Sequence, residues 1–223
     1  MRRRNTRSRG TTMPGRIRII AGSLRNSKLE VRDAAGLRPT PERVRETLFN
    51  WLAPAIDGAR CLDAYAGTGA LGIEAASRGA GEVVLVERDA TLAREIAANL
   101  ARLRIANARV EQRDVVAWLA TAPAEAGPST GDQDLARARR AFDIVFVDPP
   151  FDAGLWSDTC RALECNGWLA PGALVYLEWP SGATPEVPPG WREHRSAKAG
   201  DVHYALYRCS PAAAALAGAS RDG

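Results

Sequence analysis

The sequence predicts a doubly wound α/β fold on a mostly parallel, seven-stranded sheet, with a small N-terminal strand and helix extension. Three observations point there. From residue 60 onward, short apolar runs alternate with segments of helical period in a βαβα rhythm. The apolar runs are nearly continuous, as strands buried on both faces require. A G-x-G-x-x-G lies where the first of those runs gives way to a helical segment. With 223 residues, 46% of them apolar, the chain supplies one principal core and too little material for two full domains.

In chain order, residues 1–12 read as a disordered basic tail, and Met13 is a candidate alternative start. Residues 13–55 read as an N-terminal extension that docks on the main core, opening with a strand at 16–20 and continuing as a polar stretch to Gly36. Thr40 is then placed to N-cap a helix, Pro41 suits its first position, and Glu42 complements the dipole. Val44, Leu48 and Leu52 make one apolar stripe for docking on the main core, with Arg43 and Arg45 off it. The main domain, 56–209, carries strands at 61–65, 83–86, 108–111, 142–147 and 174–178, and helices at 71–78, 90–103, 114–119 and 155–164. Runs at 191–195 and 203–208 suit an antiparallel hairpin at one sheet edge. Residues 121–140, rich in Pro, Gly, Ser and scattered charge, read as a surface insertion, and 210–223 as a disordered tail.

Charge is distributed unevenly. The first fifty residues hold thirteen Lys/Arg and four Asp/Glu, a net of +9, which leaves the rest at −5. Such a front end attracts polyanions. Arg16, Arg18, Arg25, Arg38, Arg43 and Arg45 are the candidate phosphate contacts; for the last three, a solvated helix face or an ion pair with Glu42 or Glu46 is the competing reading. Cys61, Cys160, Cys165 and Cys209 show no metal-ligand or staple spacing, and with two histidines no metal site is expected. They read as reduced thiols. No apolar run reaches the length of a membrane span, and the N-terminus has no apolar signal region, so a cytoplasmic protein is expected; a monomer is the expected state.

The glycine turn reads Asp63-Ala64-Tyr65-Ala66-Gly67-Thr68-Gly69-Ala70-Leu71-Gly72. Gly67 and Gly69 permit a sharp turn and close approach of a ligand, although a tight βα loop needs the same freedom with no ligand at all. Asp63 separates the possibilities. A carboxylate beside Ala64 at the strand end repels a dinucleotide pyrophosphate and favours a cation, such as the sulfonium and ammonium of S-adenosylmethionine. A P-loop is excluded because no Lys-Ser/Thr closes the motif. Glu87 ends the second strand, where a carboxylate accepts from ribose hydroxyls. Asp114 follows the third strand, placed either for an adenine amine or as a helix cap.

The fourth strand ends in Asp148-Pro149-Pro150-Phe151. Two prolines stop a strand unaided. They do not explain why an apolar strand delivers a carboxylate and then an aromatic ring to the rim where open α/β sheets bind ligands. An exocyclic base amine is a poor nucleophile because its lone pair is delocalised. The Asp148 carboxylate and the Pro149 carbonyl can accept its two N–H bonds, Pro150 stiffens the turn, and Phe151 offers a face on which an extruded base stacks.

These motifs, with Arg18-Ile19-Ile20-Ala21-Gly22, Gly36-Leu37-Arg38-Pro39-Thr40, Arg43-Val44-Arg45-Glu46-Thr47-Leu48-Phe49-Asn50-Trp51-Leu52 and Gly167-Trp168-Leu169, resemble the RsmD-type 16S ribosomal RNA guanine-N2 methyltransferases across 16–208. The resemblance implies a Rossmann-like S-adenosylmethionine-dependent methyltransferase fold. It further implies methylation of one guanine N2 of 16S rRNA, on a partly assembled small subunit, with S-adenosylhomocysteine as the second product. It also puts Thr40 near the methionyl end of the cofactor. Guanine is implied by the resemblance alone. The rival readings are an adenine-N6 DNA methyltransferase, for which the length leaves no target-recognition domain, an NAD-linked oxidoreductase, for which Asp63 has the wrong charge, and non-catalytic RNA binding.

Overall fold

The computed structural model describes residues 15–31, 40–121 and 141–210. The 1–12 tail, Arg38, nearly all of the 121–140 insertion and the C-terminal tail beyond Ser210 lie outside the described residues. Two strands, β1 (Gly15–Arg18) and β2 (Lys28–Val31), pair antiparallel, and α1 (Glu42–Leu52) follows. Then come β3 (Arg60–Asp63), α2 (Ala70–Ser77), β4 (Glu82–Val86), α3 (Ala90–Arg102), β5 (Ala108–Glu111) and α4 (Val115–Leu119). The chain continues through β6 (Phe142–Val147), α5 (Trp156–Cys165), β7 (Leu169–Pro180), β8 (Trp191–Ala199) and β9 (Val202–Cys209).

The main sheet runs β5-β4-β3-β6-β7-β9-β8. Its first five strands are mutually parallel, and β9 lies antiparallel between β7 and β8. The expected terminal hairpin therefore forms, with its second strand on the inside. Residues alternate between two cores. Cys61, Val83, Leu85, Ile144 and Phe146 meet α1, α2, α3 and the β1–β2 hairpin on one face. Leu62, Val84, Val86, Val145 and Val147 meet α4 and α5 on the other. Continuous apolar strands and two helical layers are thus one fact seen twice. Trp156 and Trp168 are buried in the second layer, donating to the Glu178 and Leu119 carbonyls.

The extension shares the main core: Ile19, Leu29, Val44, Leu48, Phe49 and Leu52 belong to one cluster with the sheet residues. All of α2 is buried, because small residues let it lie between the sheet and the extension. Its Glu74, fully buried, accepts the Ile20 N–H at 2.8 Å and the Ala21 N–H at 3.1 Å. Gly22, at φ +82°, brings the chain so close that a Cβ there would sit 1.8 Å from the Ser77 carbonyl oxygen. Only glycine fits that crossing.

β2 falls in the stretch read from sequence only as polar, with no strand assigned to it. Its four residues alternate Leu29 and Val31 inward with Lys28 and Glu30 outward, too short a pattern to stand out without its partner.

Candidate active site

The chain leaves β3 for β4 and β5 on one side, then crosses back to add β6 on the other side of β3. The strand order therefore reverses between β3 and β6, and the crevice beyond their C-terminal ends is where such sheets bind ligands. Asp63 ends β3 and Asp148 follows β6, with Asp63 paired to Phe146 in register. The two halves of the sequence reading, the glycine turn and the Asp-Pro-Pro-Phe element, thus meet at one point. A cavity of about 410 Å³ opens at the opposite rim, lined by Asp57, Asp143, Gly172 and Arg208; no residue of the glycine turn or of Asp148-Pro149-Pro150-Phe151 lines it.

The glycine turn is built as its spacing requires. Gly67 and Gly69 have φ of +52° and +75°, and Gly69 occupies the N-cap position of α2. Asp63 is 2% exposed, and its Oδ2 accepts the Gly72 N–H at 2.8 Å, fastening the start of α2 to the end of β3. Burial pushes its carboxyl up to about 7, against the Gly72 hydrogen bond and with help from the Glu87 charge. Ala64 is buried behind it and donates its N–H to the Phe146 carbonyl. Glu87 reaches from the end of β4 to accept the Gly67 N–H at 2.9 Å on Oε2 and the Asp89 N–H at 2.8 Å on Oε1. Each carboxylate oxygen has a second lone pair to offer a ligand hydroxyl. Asp114 does cap α4, accepting from the Ala117 N–H at 3.0 Å through Oδ1.

Asp148 is partly buried, and its Oδ2 accepts from the Thr40 hydroxyl at 3.2 Å. Burial pushes its carboxyl well above the usual range, the neighbouring Glu178 and Asp63 carboxylates add to this, and the Thr40 hydrogen bond opposes it. Pro149 is buried, Pro150 exposed, and the Ala153 N–H bonds the Pro150 carbonyl at 3.0 Å, closing a tight turn. Phe151 is 37% exposed and is the one large apolar side chain so presented among the described residues. Its ring lies 6.1 Å from Trp156, which backs it from the core.

Sequence reasoning missed Glu178. It is 4% exposed on β7, one residue past the Val147–Leu177 pair, so it stands beside Asp148, and it accepts the Tyr176 hydroxyl at 2.7 Å. The available signal was an acid ending an apolar strand, as at Asp63 and Glu87. Thr40 was expected to cap α1, but Pro41 holds the cap position with no side-chain bond, because the Thr40 hydroxyl turns to a carboxylate acceptor instead.

A family model described as "Conserved hypothetical protein 95" matches residues 17–208. The "Ribosomal RNA small subunit methyltransferase D" of Escherichia coli K12 is 47% identical over 195 residues, which cover 87% of this chain and 90% of that protein. The chain belongs to the ribosomal RNA small subunit methyltransferase D family. The Haemophilus influenzae member is 39% identical over 197 residues, covering 87% of this chain and 94% of its own. The solved structure of yhhF from Escherichia coli is 44% identical, covers 88% of this chain and 99% of that one, and superposes with a TM-score of 0.76. The fold is accordingly the Rossmann-like methyltransferase fold.

On this family scaffold the arginines divide. Arg16, Arg25 and Arg43 are exposed, and Arg18 is exposed but ion-paired with Glu42. Arg45 corrects the sequence reading: it is 2% exposed, 3.6 Å from Glu74, and donates from Nη2 to the Arg18 carbonyl at 3.0 Å. It sits one helical turn before Phe49 on a second buried column of α1, so it fastens the extension and has no surface to offer a phosphate.

Proposed function

We propose that this chain transfers the methyl group of S-adenosylmethionine to the exocyclic N2 amine of a guanine in 16S ribosomal RNA, within a partly assembled small subunit. The observation that carries the reading is the meeting of Asp148-Pro149-Pro150-Phe151 with the glycine turn at the switch point between β3 and β6. Methyl transfer to ribosomal RNA is supported by the names of the relatives; guanine N2 rests on the sequence resemblance.

The residues at the rim fit the cofactor. Asp63, Glu87 and Asp114 stand at the ends of three neighbouring strands, an acidic set that suits a cation and hydroxyl groups and disfavours a pyrophosphate. Glu87 accepts from the ribose hydroxyls through its remaining lone pairs, Gly67 and Gly69 allow close approach, and Asp63 faces the ammonium end. Asp114 takes the adenine amine through the oxygen outside its cap. Bound there, S-adenosylmethionine supplies an electrophilic methyl group and leaves as S-adenosylhomocysteine.

This chain's own contribution is orientation. The Asp148 carboxylate and the Pro149 carbonyl accept the two N–H bonds of the amine and aim its lone pair at the cofactor side of the crevice. Phe151 stacks the extruded base, its ring held by Trp156. After transfer the alkylated nitrogen is strongly acidic, and its proton passes to Asp148 or to water. Arg16, Arg25 and Arg43 hold RNA phosphates.

The reading is tested in cells. Ribosomal RNA from a strain lacking this chain should lose one N2-methylguanine of 16S rRNA and regain it on complementation. An unchanged set of methylated nucleosides in 16S rRNA contradicts it.

A further inference from the structure

Thr40 is 8% exposed, and its hydroxyl reaches across 108 positions of sequence to Asp148 Oδ2. The helix it precedes makes no use of that hydroxyl: the first turn of α1 closes on the Pro41 carbonyl, which accepts from Val44 and Arg45. Thr40 thus forgoes a local cap for a contact with the proposed catalytic carboxylate. Its place is fixed from behind. Phe49, two turns along α1, packs against Phe146 at 5.8 Å, and Arg45 ties the same helix to the Arg18 carbonyl.

We propose that Thr40 is a positioning residue of the methyl-transfer site, its hydroxyl holding Oδ2 of Asp148 so that Oδ1 is the oxygen presented to the amine. This rests on the activity proposed above and adds to it. A carboxylate is free to rotate and exchange its oxygens; one fixed donor removes that freedom and aims the remaining lone pairs. The N-terminal extension then does more than attract RNA. It completes the active site, and Thr40 acquires a chemical reason.

The titratable groups facing Asp148 are Glu178 and Tyr176 from β7 and Asp63 from β3, and the start of α1 contributes Thr40. Both neighbouring carboxylates favour the protonated form of Asp148, while the Thr40 hydroxyl favours the ionised form. Removing the hydroxyl should therefore move the titration of Asp148 to higher pH.

Thr40→Val keeps the shape and deletes the donor; Thr40→Ser keeps the donor. At saturating RNA and S-adenosylmethionine, Thr40→Val should slow methyl transfer about ten- to hundredfold, the loss expected for one hydrogen bond to a charged group. Thr40→Ser should recover most of the rate. Calorimetry should give the same affinity for S-adenosylmethionine in all three proteins. In the substrate-free protein, the Asp148 carboxyl carbon resonance, assigned by its loss in Asp148→Asn, should titrate at higher pH in Thr40→Val than in wild type, with Thr40→Ser unshifted. A Thr40→Val protein that binds S-adenosylmethionine more weakly at unchanged maximal rate would assign Thr40 to the cofactor and overturn the proposal. So would an Asp148 titration that ignores the substitution. Should the wild-type chain methylate no RNA, the proposed activity fails, and the titration still decides whether Thr40 acts on Asp148.

Discussion

Glu87 Oε2 accepts the Gly67 backbone N–H at 2.9 Å, so the carboxylate ending β4 fixes the shape of the turn that follows β3. One side chain therefore organises the glycine turn and, in the proposed function, binds the ribose. Glu87→Ala should weaken S-adenosylmethionine binding about ten- to a thousandfold, through lost charge-assisted bonds and a loosened turn. Calorimetry checks this, and an unchanged affinity removes Glu87 from the cofactor site.

Asp148 accepts an amine N–H most strongly, and can take up the proton released after transfer, when it is ionised; burial, with the Glu178 and Asp63 carboxylates, holds its proton affinity well above the usual carboxylate range. Its charged form is therefore lost as pH falls through that raised value. Single-turnover transfer rates should decline toward acid pH earlier than an ordinary aspartate allows. Asp148→Ala should abolish transfer at every pH and leave cofactor affinity nearly intact; a parallel loss of both would deny it the assigned role.

Asp63 has a stability signature. Its folded value of about 7 lies above that of an unfolded aspartate, so the folded chain binds the proton more tightly. The contribution is fully present below the unfolded value and is lost as pH rises through about 7. Cofactor-free wild type should lose stability between pH 5 and 7 relative to Asp63→Asn, with a slope of up to about 1.4 kcal/mol per pH unit. Urea melts at the two pH values measure it. Parallel curves for the two proteins would contradict the buried setting of this carboxyl.

Arg45 and Arg43 stand two positions apart and should behave oppositely. Arg45→Ala breaks a buried pair and should destabilise the fold by about 3–5 kcal/mol, with the salt dependence of RNA binding unchanged. Arg43→Ala should leave stability alone and reduce the slope of log affinity against log salt by about one. Melting curves and RNA titrations across salt concentrations separate them, and a stable Arg45→Ala protein with a weakened salt slope would restore Arg45 to the RNA surface.

That contrast shows where sequence reading reaches its limit. Continuous apolar strands, the glycine turn and Asp-Pro-Pro-Phe are local patterns, and they gave the sheet, its terminal hairpin and the acids at its rim. Arg45 and Glu74 are charged residues whose burial comes from a second layer: the β1–β2 hairpin and its turn close over α1 and α2, and nothing within either helix announces that lid. Val44, Leu48 and Leu52 gave one buried column, whereas α1 is covered along two. Glu178 and the Thr40–Asp148 bond depend on register and on a contact between distant segments, which periodicity does not encode.

The most direct test is nucleoside mass spectrometry of 16S rRNA from partly assembled, unmodified small subunits incubated with S-adenosylmethionine and either wild type or Asp148→Ala. The account requires N2-methylguanine from wild type alone. Methyl on adenine N6, or equal methylation by both proteins, would contradict it.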